Sequence, residues 1–344
     1  MAGPAPGSWT DSCLPRTEQE SGQPLVLREQ GARATLPRMS QGDAVALRHA
    51  RGAPSSLDLL RQGIADIRSR RRLIRYLVQA DMKKRGSDTV LGNLWWILDP
   101  LLQMIVYVIF VTVIAQRPAP DYPLFIFAAI LPWKWYQSVV NEASSSVVRH
   151  DKLIRQIAFP KIVLPVSTTT AGVVGFAWGM VPLFLLLILH AVGKGAEADG
   201  STPDRLSVMV IWIPVIAVVQ YVFALASAIL IAAANVFFRD LGNAVGHSLR
   251  LWWFLSPGLY SLQDLAGVSF VRENPIIATL AGLNPFAVLF EAYRAVIYGG
   301  PDGLSPPHPP DLVSLLILLV SSIVFLGLCI IFFKRVEPEF AKVL

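Results

Sequence analysis

"SSSVVRHDKLIRQIAFPKIVLP", residues 144–165, is a short polar and basic passage set between two long apolar runs. It opens on three serines, carries Arg149, Asp151, Lys152, Arg155 and Lys161, and closes on Pro160 and Pro165. From His150 to Ala158 the spacing predicts a short helix. Leu153, Ile154, Ile157 and Ala158 share one face, and Lys152 and Arg155 point elsewhere. Pro160 ends the helix, because proline drives the residue before it out of the helical region. Pro165 falls near the start of the next apolar run, where a missing N–H is tolerated. An exposed apolar face on a short helix asks for a partner. A plain basic connection between two membrane spans would show the same periodicity.

The apolar runs on either side set the class. The chain has 344 residues, of which 53% are hydrophobic and 16% charged. Soluble domains carry about 25% charged residues, so the composition is that of a membrane protein. A span needs about 20 mostly apolar residues. Six runs approach that length, at about 94–115, 124–148, 162–190, 206–238, 245–262 and 312–333. The fold expected is all-α and polytopic, with six transmembrane helices. Its basic residues flank these spans rather than forming a separate domain, which speaks against nucleic acid as a partner. Two cysteines, Cys13 and Cys329, are too few for a disulfide framework, and both are expected free.

Lys and Arg in the flanks orient the spans. With the amino terminus inside, the cytoplasmic side holds the basic residues of 61–85, then Arg149, Lys152, Arg155, Lys161, Arg239, Arg250, Lys334, Arg335 and Lys342. The outer side holds Arg117, Lys194, Arg205, Arg272 and Arg294. Both termini are therefore expected to be cytoplasmic.

Residues 1–55 read as a disordered tail rich in Pro, Gly, Ser, Ala and Arg. The membrane domain is expected over 56–344. Over 57–85, Leu57, Leu60, Ile64, Ile67, Ile74 and Val78 form an apolar stripe broken at Arg71, and arginines cover the other faces. Such a helix suits a membrane interface, or packing on a cytosolic partner. Arg70, Arg71, Arg72, Lys83, Lys84 and Arg85 make its strongest cationic patch. Phosphate on a lipid carrier and anionic headgroups are both suitable partners for that patch.

Between the last two runs lies a second irregularity, spanning the region 264–300. "LNPFAVLFEAYRAVIYGG", residues 283–300, has Asn284 as N-cap, Pro285 at the first helical position and two closing glycines. The helix between is about 14 residues, or about 21 Å, too short for a hydrocarbon core of about 30 Å. Phe286 lies on it, and Glu291 and Arg294 stand three apart and can pair. A re-entrant helix and one lying on the surface both fit. Before it, Pro257 and Gly258 should stop or kink the fifth span.

Catalytic chemistry leaves little trace. The chain lacks a phosphate-binding G-x-x-x-x-G-K-[ST] loop, an H-E-x-x-H, a C-x-x-C and a G-x-S-x-G elbow. Asp99 and Asp240 stand isolated, which weighs against a membrane glycosyltransferase. No metal site and no cofactor are expected in this chain.

Four segments resemble the permease subunit of ABC-2-type exporters, in the branch that exports O-antigen, teichoic acid or galactan. They are "RYLVQADMKKRGSDTVLGNLWWILDPLLQMIVYVIF" (75–110), "RQIAFPKIVLP" (155–165), "NVFFRDLGNAVG" (235–246) and "LNPFAVLFEAYRAVIYG" (283–299). The resemblance covers roughly residues 57–344. It implies an amphipathic interface helix over 57–85 and a coupling-helix loop over 149–161. That loop, with Arg149, Asp151, Lys152, Leu153, Ile154, Arg155 and Ile157, would dock on an ATP-binding cassette subunit. An outer gate would use Asn284, Pro285, Phe286, Glu291 and Arg294. It further implies a homodimer with two ATP-binding subunits that hold ATP and Mg, in a bacterial cytoplasmic membrane. The cargo would be a lipid-linked glycan; a small amphiphile or drug is the alternative. Sugar rings stack on aromatic faces, so Trp95, Trp96, Tyr107, Trp133, Trp135, Tyr136, Trp178 and Trp212 are candidate channel aromatics. The same residues at span ends serve as interfacial anchors.

Overall fold

The computed structural model describes residues 54–87, 91–114, 116, 121–157, 159–196, 205–300 and 303–343. Nearly all of the expected tail, with Cys13, Arg117, Ala158 and the side chains of Arg85 and Lys194, lies outside the described residues. Among the described residues every regular element is helical. In chain order these are α1 (Ser56–Ser69), α2 (Arg71–Ser87), α3 (Trp95–Ile109, prolonged by a π turn over Phe110–Ile114), α4 (Tyr122–Ser144), α5 (Asp151–Gln156) and α6 (Val163–Ala196). Then follow α7 (Ile213–Phe237), α8 (Leu241–Leu255), α9 (Leu262–Gly267), α10 (Ser269–Glu273), α11 (Pro275–Gly282), α12 (Pro285–Ile297), α13 (Leu312–Val336) and α14 (Phe340–Val343).

Among the described residues, four stretches are long and apolar enough to cross a membrane: Trp95–Ile114, Val163–Gly193, Val208–Phe237 and Leu312–Glu339. The two further expected spans stand apart for different reasons. Helix α4 has 23 residues, about 35 Å at 1.5 Å per residue, so its length suffices. Lys134, Gln137, Asn141 and Glu142 make its second half polar. Helix α8 has 15 residues, about 22 Å. It stops at Leu255, where the chain turns through Pro257 and Gly258. An added Cβ on Gly258 would lie 2.6 Å from the Trp253 ring, so the turn needs glycine there.

Helix α4 is the axis of the bundle. From Leu124 to Trp133 every side chain is buried, and α3, α6, α7, α8 and α12 pack around it. A second apolar cluster sits at the α5 end of the bundle, built on Ile162, Val163, Ile229, Phe333 and Phe340. Helix α1 lies on α13, and α2 lies on α6.

The expected interface helix is two helices, broken at Arg70 rather than Arg71. Its stripe is also turned. Leu59 and Gly63 are buried, Leu60 and Ile67 pack on the second cluster, and Leu57 and Ile64 are exposed. Gly63 is the reason: any Cβ there would run into Ile330 of α13. The approach of α1 to α13 is set by a missing side chain, which an apolar period does not register.

A candidate coupling surface, outer clasp and membrane groove

Helix α5 is shorter than the spacing predicted, ending at Gln156 because Ile157 is extended (φ −130°, ψ 129°). A 3-10 turn over Val148–His150 leads into it. Asp151 accepts from the Lys152 N–H at 2.6 Å, and Arg149 donates to the Glu142 carbonyl at 3.0 Å. Ile154 packs inward on the second cluster. Leu153 is half-buried, Ile157 is 56% exposed, and Lys152 and Arg155 are exposed. The helix thus keeps one apolar anchor in the bundle and presents another outward.

A buried ion node ties the chain after α5 to α1 and α13. Lys334 Nζ lies 2.7 Å from Asp66 of α1 and 2.6 Å from Glu337. The other oxygen of Glu337 accepts the Lys161 N–H at 2.6 Å, at the end of the segment that carries α5. In the sequence Lys334 shows only as a flanking charge. Its partner Asp66 is 268 residues away, beyond any local pattern.

The cationic patch runs from Arg70, the cap of α1, along α2. Arg70, Arg71, Arg72, Lys83 and Lys84 are all exposed.

At the opposite end of the bundle two arginines are buried rather than free in outer loops. Arg205 reaches Asp121 at 3.2 Å and donates to the carbonyls of Tyr298 and Ser305. Its guanidinium lies 4.5 Å over the Tyr298 ring. Arg294 is 2% exposed. It donates to the carbonyls of Pro257 (2.8 Å), Gly258 (2.6 Å) and Tyr260 (3.1 Å), and lies 3.7 Å over the Phe125 ring. Glu291 is 3.8 Å from it, so the carbonyls are its nearer partners. Asn284 caps α12, accepting from the Phe286 N–H at 3.0 Å. Its amide also donates to Ser256 Oγ at 2.8 Å. Pro285 occupies the first turn. Arg294 and Asn284 together fasten the turn after α8 to α12.

The candidate aromatics divide. Trp133 and Tyr136 are buried in a ring cluster with Trp252, Trp253, Phe286 and Phe290. The Tyr136 hydroxyl lies 3.1 Å from Ser227 Oγ. Tyr107 joins that cluster by accepting from Trp253 Nε1 at 2.9 Å. Trp178 is exposed on α6, and Trp212 packs on the core. Trp95, Trp96 and Trp135 meet in one groove between α3, α4 and α6, of about 260 Å³. An ion pair that no sequence spacing displays, Lys134 to Asp99 at 2.7 Å, stands in its wall.

These features define a multi-pass helical membrane protein with a short, partly exposed helix at one end of the bundle and a fastened opposite end. No protein-family model matches the chain. It is 32% identical over 272 residues to the O-antigen export system permease protein RfbA of Myxococcus xanthus, covering 79% of this chain and 95% of that protein. A protein of the same name from Klebsiella pneumoniae is 24% identical over 273 residues, with the same two coverages. The chain belongs to the family of O-antigen export system permeases.

Proposed function

We propose that the chain is the membrane subunit of an ABC exporter for a lipid-linked polysaccharide of O-antigen, teichoic acid or galactan type. A separate ATP-binding subunit, in two copies, would hold and hydrolyse Mg–ATP, and the permease would act as a homodimer in the bacterial cytoplasmic membrane. The observation that carries the reading is the family membership, which selects a polysaccharide over a small amphiphile or drug. The α5 surface supports the coupling half of it. An exposed Ile157 beside exposed Lys152 and Arg155 has the mixed apolar and charged character of a docking site for a soluble subunit.

Six traversals fit the helix geometry. Phe237, at the end of α7, meets Phe340 at 5.8 Å, so α7 finishes at the α5 end. Helix α13 ends at that same end with Lys334 and so begins at the other. The chain between them must make a net crossing. Helix α8 begins it, and the segment α9–α12 completes it as a broken, re-entrant span. The α5 end would then be cytoplasmic, with both termini.

Docking is tested by co-expressing the chain with its ATP-binding subunit and changing Ile157→Asp, alone and with Leu153→Asp. Ile157 is exposed, so the single change spares the fold. Burying one such side chain at an interface is worth about 1.5–3 kcal/mol, so affinity for the ATP-binding subunit should fall roughly 10- to 100-fold. Unchanged co-purification and unchanged ATP hydrolysis in both variants would overturn the docking surface.

A further inference from the structure

A trough runs between α6 and α7, both of which pack on α4. Its volume is about 790 Å³. Thr170, Val174, Ala177 and Phe184 line it from α6, and Pro214, Val218 and Tyr221 from α7. Their spacing keeps each set on one helix face, so the trough runs along the two helices. Thr170 to Phe184 is about 21 Å of helix at 1.5 Å per residue. Trp135, Met180 and Ile213 are buried in its floor, whereas Val173, Val174 and Val218 on its rims are exposed. The trough therefore opens sideways, toward what surrounds the two helices.

That surrounding is hydrocarbon, since both helices belong to stretches long and apolar enough to cross a membrane. Among the described residues no charged side chain lines the trough. Thr170 gives its hydroxyl hydrogen to the Val166 carbonyl at 2.8 Å, so Tyr221 donates its own to Thr170, at 3.1 Å. The two hydroxyls have no donor to spare, and they bridge the helices at the end nearer α5. The Trp135 N–H lies against Gly172, which is not part of the lining. Water, sugars and headgroups thus gain little here. Spread over about 21 Å, the volume gives a mean cross-section of about 38 Å², under half the roughly 80 Å² of a helix 10 Å wide. The trough is too thin for a helix of a second copy and wide enough for a hydrocarbon tail. Left empty, its walls would forfeit the dispersion contacts of a close-packed interior; a tail restores them.

We propose that the trough holds an acyl tail of a membrane phospholipid, bound as a structural lipid that fills the wedge between α6 and α7. The tail enters sideways from the bilayer, and its headgroup lies at the end away from the Thr170–Tyr221 bridge. The proposal goes beyond the export reading and does not depend on the cargo.

The test places the purified permease in nanodiscs of phosphatidylethanolamine and phosphatidylglycerol, the latter carrying a photoreactive diazirine midway along one acyl chain. After a flash, labelled peptides are mapped by mass spectrometry. Residues 170–184 and 210–221 should carry about ten times the label of the exposed side of α13 at Leu316, Val320 and Ile323, the ratio that about 1.4 kcal/mol of preference gives. Ala177→Phe together with Ala217→Phe, both in the lining, should fill the trough and bring its label down to the α13 level. Thermal unfolding of the double variant should match wild type. Equal labelling of trough and α13 in wild type overturns the proposal, and this comparison decides even where the bulky pair melts early. Undiminished trough labelling in a stably folded double variant overturns it too. A disulfide between two copies of Val218→Cys overturns it in favour of a dimer contact. Label displaced by polyprenyl phosphate but not by unlabelled phosphatidylglycerol overturns it in favour of a site for a carrier tail.

Discussion

Arg294→Leu releases the turn after α8 from α12. The guanidinium satisfies the carbonyls of Pro257, Gly258 and Tyr260, all in a turn that leaves those groups without helix partners. Pro257 and Gly258 are buried, so water cannot replace the lost donors. Each stranded buried acceptor costs about 1–3 kcal/mol, and the two at Pro257 and Gly258 amount to roughly 2–6 kcal/mol, a large share of the stability of a whole domain. Arg294→Lys should recover only part of this, because one ammonium cannot reproduce a planar fork that spans several acceptors. Hydrogen exchange in nanodiscs is the readout. Amides of residues 256–283 should lose protection in both variants, and more in the leucine form. If lysine protects those amides as well as arginine does, the fork is not what fastens the segment.

The second large effect lies at the opposite end. Lys334→Met leaves Asp66 and Glu337 facing one another without a counter-charge. Removing one partner of a buried ion pair costs about 3–5 kcal/mol. The loss falls on the junction where α1, α13 and the chain after α5 meet. Helix α1 should detach from α13 and become open to protease. ATP hydrolysis in the complex should then lose its dependence on the permease, since Glu337 also holds the Lys161 N–H. Adding Asp66→Leu and Glu337→Gln to Lys334→Met should restore much of the stability, as apolar or neutral replacements of a whole buried pair often do. Protease protection of α1 in the single and triple variants measures both claims. Equal protection in Lys334→Met and wild type would show that the node does not hold α1.

The long apolar helices were legible because their signal is continuous and local. Helices α3, α6, α7 and α13 each hold 20 or more mostly apolar residues, and the Asn284–Pro285 start of α12 is a matter of adjacent residues. The stop at Pro257 and Gly258 was local too. Helix α4 was harder, since its central place in the bundle lets Lys134, Gln137 and Asn141 sit on a helix that is elsewhere apolar. What the sequence hid are pairings across distance. Lys134 meets Asp99 35 residues away, and Arg205 meets Tyr298 across 93. Two of the arginines counted as outer-side charges, Arg205 and Arg294, are buried clamps, because backbone carbonyls are acceptors that no residue pattern displays. The aromatic candidates show the same limit. Trp133 and Trp135 are two positions apart and both buried, yet one joins the ring cluster around Phe286 and the other stacks on Phe176 of α6.

The most direct measurement follows the polymer itself. In the source cell, the gene for this chain would be deleted and surface and intracellular lipid-linked glycan quantified, with the wild-type chain and the Ile157→Asp form returned in turn. Deletion should remove a glycan from the surface and build up its lipid-linked form inside, wild type should restore it, and Ile157→Asp should restore little. An unchanged amount of every surface glycan after deletion, with no lipid-linked form accumulating, would contradict the account.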